Sequence, residues 1–309
     1  MAALAVAAAD PGEVLRRLDD RIKRVHGSRA AAVTLAVGGS LFDGRFGLGA
    51  ARPRALTTMP SFPNDVLDPG QCHGDLLLQV CAGRAGQARA VTDDLVRAAA
   101  GALRTRWRLD GFRLENGTTA AGLASNRNLF GFREGAGNPD PADEPLMDRL
   151  VWVDDGEPSW AAGGTYQAVR LIRFATELWD REPVPRQEQV LGRRRSDGVP
   201  LAGGAEDATF DYAGDPDGLV TPLDAHIRRA NPRTADTERT RILRRGYSYR
   251  RGDEQGIIFI SFQRDLETGF AAAQRRLDGE ALQRYVLPFG GGYYFVPPTV
   301  AALRALTTR

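Results

Sequence analysis

The chain is poor in the residues that most often announce a function. Cysteine occurs twice in 309 residues, as Cys72 and Cys81. Two thiols are too few for a thiolate metal cluster, and they support a disulfide weakly because His73 to Cys81 reads as one strand. Histidine occurs three times, at positions 26, 73 and 226. No apolar run approaches the roughly 20 residues of a membrane-spanning helix. A charge excess is missing too: 41 basic against 39 acidic residues leave +2, so neither nucleic acid nor a membrane surface is an expected partner. Arginine far outnumbers lysine, a bias that a GC-rich genome explains better than carboxylate recognition does. The first ten residues are apolar and Ala-rich, with no basic flank and no twin-arginine pair. As the sequence stands the expected location is the cytoplasm, or outside it if a leader was removed.

What is present describes a globular chain. Hydrophobic residues make up 42% and charged residues 26%, enough for one large domain or two medium ones. Val14, Leu15, Leu18, Ile22 and Val25 recur at helical spacing and predict a helix over 11–25. Strands are expected at 30–37, 75–82 and 107–114, with a helix over 87–103. The order returns after a turn-rich boundary at 154–163, with a strand at 165–174, a helical stretch through Trp179 to Leu191, and a hairpin at 247–262 around Gly252-Asp253. A helix at 266–277 and a closing strand at 293–296 follow. The pattern predicts an α+β fold of two ferredoxin-like domains with antiparallel sheets, at 1–155 and 156–309.

Two loops carry the candidate chemistry. Asn126 to Pro141 places Gly131, Gly135 and Gly137 around Glu134, so backbone can approach a flat ligand while one carboxylate enters the cavity. No Lys-Ser/Thr follows and no GxGxxG is present, which argues against a nucleotide. The polar stretch 193–218 is too long for a plain connection. It leads into TPLDAHIRRANPRTADTERTRILRRGY at 221–247, with His226 and, 18 positions on, Arg244. A histidine can take one axial position of a haem iron, and a fixed cation can polarise a peroxide on the other face.

Taken together, these motifs resemble the dye-decolorizing peroxidases, in particular their bacterial deferrochelatase-like branch. GFREG at 131–135 is similar to the family's GxxDG signature, and HIRRANPR at 226–233, ILRRGY at 242–247 and FISFQRDLETGF at 259–270 follow in the family's order. CHGDLLLQVCA at 72–82 and GGTYQAVRLIR at 163–173 are also similar. The resemblance implies haem b between two ferredoxin-like domains, with His226 as proximal iron ligand. It implies a distal pair of Arg244 and Glu134, and haem contacts from Gly135, Ala136, Gly137, Asn231, Arg233 and Arg244. A late carboxylate, best matched by Glu280 with its neighbour Asp278 as the replacement, would hydrogen-bond the proximal imidazole. The implied reaction is peroxidation of phenolic, dye-like or other aromatic donors by hydrogen peroxide through an oxo-ferryl intermediate.

The departure is Glu134, where the family has Asp. One added methylene keeps the acid–base chemistry but changes its reach, and a misplacement of about an ångström can lower a rate about a hundredfold. Three rivals stay open: a biosynthetic oxidation of one small molecule, a haem-handling protein with weak peroxidase activity, and an interaction protein that has lost haem. Self-association is left open as well.

Overall fold

The computed structural model describes residues 1–118, 124–208 and 210–306. The Ala-rich start, without a strand signature in sequence, is the first strand. β1 (Ala2–Val6) lies between β3 (Leu76–Cys81) and β4 (Leu103–Arg108). Its small side chains are buried, with Ala3 and Leu4 fully covered. α1 (Pro11–Gly27) starts where the Asp10 carboxylate accepts from the Gly12 N–H at 2.8 Å, with Pro11 in the first turn. That cap satisfies one of the free donors of a helix start. Val14, Leu15, Leu18, Ile22 and Val25 form its buried face. The chain then runs through β2 (Ala32–Gly38) and β3 to α2 (Ala85–Ala98) and β4. The helix is shorter than its sequence signal, because Leu103 onward is claimed by β1 as a sheet edge.

These strands pair in the order β4-β1-β3-β2, the arrangement of a ferredoxin-like unit. A connecting region supplies β5 (Gly111–Phe112), β6 (Leu114–Thr118), β7 (Ala124–Arg127) and α3 (Glu144–Leu150). The second unit begins with β8 (Thr165–Phe174). The helical stretch after it is two pieces, α4 (Thr176–Asp180) and α5 (Val184–Leu191). Pro183 and Pro185 lie at the break, where a ring in place of an N–H interrupts the helical ladder. α6 (His226–Ala230), α7 (Ala235–Arg239) and β9 (Leu243–Arg244) lead to the hairpin β10 (Tyr247–Arg251) and β11 (Glu254–Gln263). A π-helical turn (Leu266–Ala271), α8 (Ala272–Arg276) and β12 (Val286–Val296) complete it.

Here the order is β12-β8-β11-β10, the same pattern again, and β5 extends the far edge. The fold is therefore α+β with a repeated ferredoxin-like unit. Antiparallel pairing of Tyr294 with Gly38 and Phe295 with Val37 fuses both units into one ten-stranded sheet. β12 is longer than its Tyr-Tyr-Phe core predicts. Its first half pairs with β8 past a bulge between Pro288 and Gly290, and just beyond it Gly291 has φ +122 and a Cβ would stand 2.0 Å from the Val169 carbonyl oxygen. Only glycine fits there.

Strand alternation divides the second unit's sheet into two functions. Val169 and Leu171 of β8 pack with Ile258 and Ile260 of β11 in a core that also holds Trp107 and Tyr249. The alternate residues, Arg170, Ile172 and Phe174 with Ile257 and Phe259, face a cavity. Among the described residues no helix is long and apolar enough to cross a membrane.

Candidate active site

The cavity, about 330 Å³, lies between the second unit's sheet, the 126–138 loop and α6 to α8. This volume is that of a small-molecule or cofactor pocket. Among the described residues, its walls mix apolar side chains with seven arginines and two carboxylates, Glu134 and Glu280. Every residue that the sequence nominates reaches it: Glu134, Gly135, Ala136, Gly137, His226, Asn231, Arg233, Arg244 and Glu280. His26 and His73 lie elsewhere. His26 Nε2 accepts from the Val33 N–H at 3.1 Å, and His73 is a loop residue bonded through its N–H to the Gly291 carbonyl at 2.7 Å.

On one wall, His226 opens α6 and its Nδ1 lies 2.6 Å from Glu280 Oε2. A carboxylate offers only lone pairs, so Nδ1 carries the proton and donates it, and Nε2 keeps its lone pair free. Asp278 does not line the cavity, and its Oδ1 accepts from Gln283 Nε2 at 3.5 Å. Gly279, at φ +75, separates the two acids. α6 itself is anchored by Arg228, whose Nη1 donates to the Thr221 carbonyl at 2.8 Å and to Asp215 Oδ2 at 3.1 Å.

The opposite chemistry sits on the glycine loop and β9. Glu134 is largely withdrawn from bulk solvent, and burial holds its carboxyl above the ordinary value, opposed by the charges of Arg244 and Arg113. Burial likewise lowers the Arg244 pKa, with Glu134 acting to raise it. The two form a charge pair across the cavity wall. The extra methylene of Glu134 is accommodated next to Gly246, where a Cβ would lie 3.6 Å from Glu134 Oε2. Arg244 and Arg245 point apart, as strand neighbours do. Arg245 is exposed and its Nε donates to the Tyr247 hydroxyl at 3.5 Å.

A third feature is a cluster of cations. A Cβ on Gly137 would stand 3.6 Å from Arg233 Nη2, 3.9 Å from Arg193 Nη2 and 4.0 Å from Arg244 Nη2. Arg193, which sequence reading passed over as part of a long polar loop, has its pKa pushed down to about 10 by burial first and by Arg244 next. Arg233 holds the left-handed conformation, φ +60, and its N–H donates to Asn231 Oδ1 at 3.0 Å. Its Nη1 pairs with Glu238 Oε1 at 2.9 Å, yet among the described residues its buried Nε finds no hydrogen-bond partner. Arg276 Nε on α8 is in the same condition.

The chain is matched by two family models in succession: Dyp-type peroxidase, N-terminal, over residues 8–113, and Dyp-type peroxidase, C-terminal, over residues 125–301. It belongs to the Dyp-type peroxidase family. Among Dyp-type relatives, the Deferrochelatase of Escherichia coli (strain K12) is 46% identical over 276 residues, 87% of this chain and 65% of that protein. The Shigella flexneri Deferrochelatase is equally similar, with 66% of its length covered, so the chain spans just under two thirds of these relatives. Of solved structures, the DyP-type peroxidase from Cellulomonas bogoriensis superposes with a TM-score of 0.88 at 32% identity, covering 99% of this chain and 92% of that one. Ferric DtpA from Streptomyces lividans gives 0.89 at 33%, covering 98% and 91%.

The cofactor that goes with this Dyp-type family is haem, and the residues present fit it. Among the described residues no three His, Cys, Asp or Glu side chains group as a bare-metal site. A single histidine in the cavity, His226, with no such group around it, suits an iron whose other ligands come from a porphyrin ring. The apolar walls suit its faces. Orphaned Nε–H groups on Arg233 and Arg276 await acceptors, and porphyrin carboxylates would satisfy them by the planar fork of the guanidinium.

Proposed function

We propose that this protein is a haem b peroxidase in which hydrogen peroxide oxidises a small aromatic donor. The observation that carries the reading is that one cavity joins the His226–Glu280 pair to the Glu134–Arg244 pair. When bound, the haem supplies the redox chemistry, a ferric centre that a peroxide oxidises by two electrons and that donors return in single-electron steps. Nε2 of His226 would hold the iron. Glu280 takes the Nδ1 hydrogen bond and would give the ring imidazolate character, which favours higher oxidation states. Arg233 and Arg276 would bind the porphyrin carboxylates.

Glu134 moves a proton. Its carboxylate would accept a proton from hydrogen peroxide entering the cavity and return it to the oxygen that leaves as water. Arg244 stabilises the negative charge that develops as the O–O bond lengthens. The apolar walls exclude bulk water, which strengthens both effects. A haem-handling reading, with haem as substrate, is favoured by the name that the 46%-identical relatives carry, Deferrochelatase.

The test is the absorption spectrum of haemin-loaded protein before and after one equivalent of hydrogen peroxide. The expected result is a Soret band lost in His226→Ala, a peroxide-induced spectral change, and faster return with a phenol. Haem binding without that change, together with release of fluorescent metal-free porphyrin, would move the reading to haem handling. A chain that takes up no haem would end both.

A further inference from the structure

The geometry points to Asn138 as the positioning residue that sets Arg244 against Glu134, an inference that rests on the distal roles proposed above. Asn138 lies four residues beyond Glu134 in the same loop, and its own N–H donates to the Gly135 carbonyl at 3.1 Å, closing a turn around the glycines. Its side-chain amide then reaches β9. Nδ2 donates to the Arg244 carbonyl at 2.9 Å, while Oδ1 accepts from the Arg244 N–H at 3.1 Å and from Arg244 Nε at 3.3 Å. A carboxamide has the donor and acceptor of a peptide group, so Asn138 works as one added unit of strand on β9, whose residues also pair with β11.

The same contact fixes the side chain. Nε–H goes to Asn138 and one Nη2–H goes to the Ala136 carbonyl at 2.8 Å. Among the described residues the remaining N–H groups of the five on a guanidinium show no hydrogen bond, and they serve the cavity. Loop and strand are tied once more where Arg241 Nη2 donates to the Gly137 carbonyl at 3.1 Å. Arg241, whose Nη1 also donates to Glu238 Oε2 at 3.3 Å, ties the loop by its backbone and leaves Arg244 itself free to turn. Among the described residues, Asn138 alone grips the Arg244 main chain and side chain together from the segment that carries Glu134. Aspartate could not donate to the Arg244 carbonyl, and glutamine would push the strand away by a methylene.

The experiment uses the haem-loaded full chain, with Asn138→Ala as variant and Asn138→Ser as the second choice should the alanine form fail to fold. Fluoride affinity of the ferric form reads the distal cation at equilibrium, and the pH profile of the peroxide reaction reads Glu134. We expect unchanged haem affinity, fluoride binding weakened about tenfold, and the acid limb moved to higher pH, because a displaced Arg244 no longer lowers the Glu134 pKa. Arg244→Leu is the control. If Arg244→Leu weakens fluoride binding and the Asn138 variants match wild type in both readouts, Asn138 positions nothing. If Arg244→Leu also matches wild type, the distal reading itself fails and this inference goes with it. Loss of haem loading in both Asn138 variants overturns it too, by making Asn138 a folding residue.

Discussion

The two sides of the cavity are built on opposite plans. The His226 side depends on one short hydrogen bond, 2.6 Å to Glu280, between residues 54 apart in the chain. On the Arg244 side, the described residues show no hydrogen bond between the Glu134 carboxylate and the guanidinium. The pair is set instead by a loop-to-strand clamp through Ala136, Gly137 and Asn138. A metal ligand needs its lone pair directed along one line, which one partner on the far nitrogen achieves. A proton shuttle must release what it takes, so its carboxylate is better held near a cation than bonded to it. Concentrated restraint and distributed restraint should fail differently under mutation.

The largest effect is expected on the concentrated side. His226→Ala should remove the Soret band of the ligated haem and lower peroxide turnover by more than the roughly hundredfold typical of an outer-sphere loss, as read by haemin titration and stopped-flow absorbance. Next comes Glu134→Gln, which keeps the shape and removes the proton carrier. The rate of the peroxide reaction should fall about 10²- to 10⁴-fold. Its pH profile should change form as well. Burial raises the Glu134 pKa, so in wild type the reactive carboxylate is lost on acidification earlier than for an ordinary glutamate, and Glu134→Gln should lack that limb. A variant that stayed fast and kept the limb would break the comparison, leaving the Glu134 side without a chemical part.

Glu280→Gln is milder, since the amide oxygen can still accept from Nδ1. Removing the negative charge should raise the ferric/ferrous potential and weaken haem affinity or peroxide reactivity about 10- to 100-fold. A larger loss than in Glu134→Gln would reverse the ranking of the two sides.

Much of this was legible in the sequence, for reasons that particular residues make plain. β8 is apolar and β-branched between Gly164 and Ala175, and α1 carries a clean helical stripe below a capping Asp-Pro, so local pattern and tertiary burial agree. The glycine loop and the histidine segment were legible because their glycines, histidine and arginines have few structural uses in that combination. β1 was hidden because alanine favours no strand, and only its place inside the sheet makes one of it. The selection of Glu280 over Asp278 rests on the left-handed turn at Gly279, which spacing does not specify. Asn138 reads as one more polar residue in a turn until β9, over a hundred positions away, is laid beside it. Arg193 joins the cation cluster only through the path of its loop, with Nη1 bonded to the Gly198 carbonyl at 2.7 Å and the Glu206 carbonyl at 2.8 Å.

The smallest expected effect tests whether the His226 side is as concentrated as it looks. Asp215 accepts from the backbone N–H groups of Leu219, Val220 and Thr221 at 2.8 to 3.2 Å, and from Arg228 of α6 at 3.1 Å. The Thr221 N–H is the chief cause holding its carboxyl below the ordinary 3.8. A carboxyl depressed in the folded state contributes stability that is present above its unfolded pKa and lost as pH falls through its folded one. The loop should therefore stay intact at neutral pH and loosen only below about pH 4. Asp215→Asn should change haem affinity no more than a few-fold at pH 7 and should flatten the acid-side loss of haem expected of wild type below about pH 4. The readout is the Soret absorbance followed down an acid titration of both proteins. A neutral-pH loss as large as that of Glu280→Gln would mean that the loop, and not the single hydrogen bond, holds His226 in line.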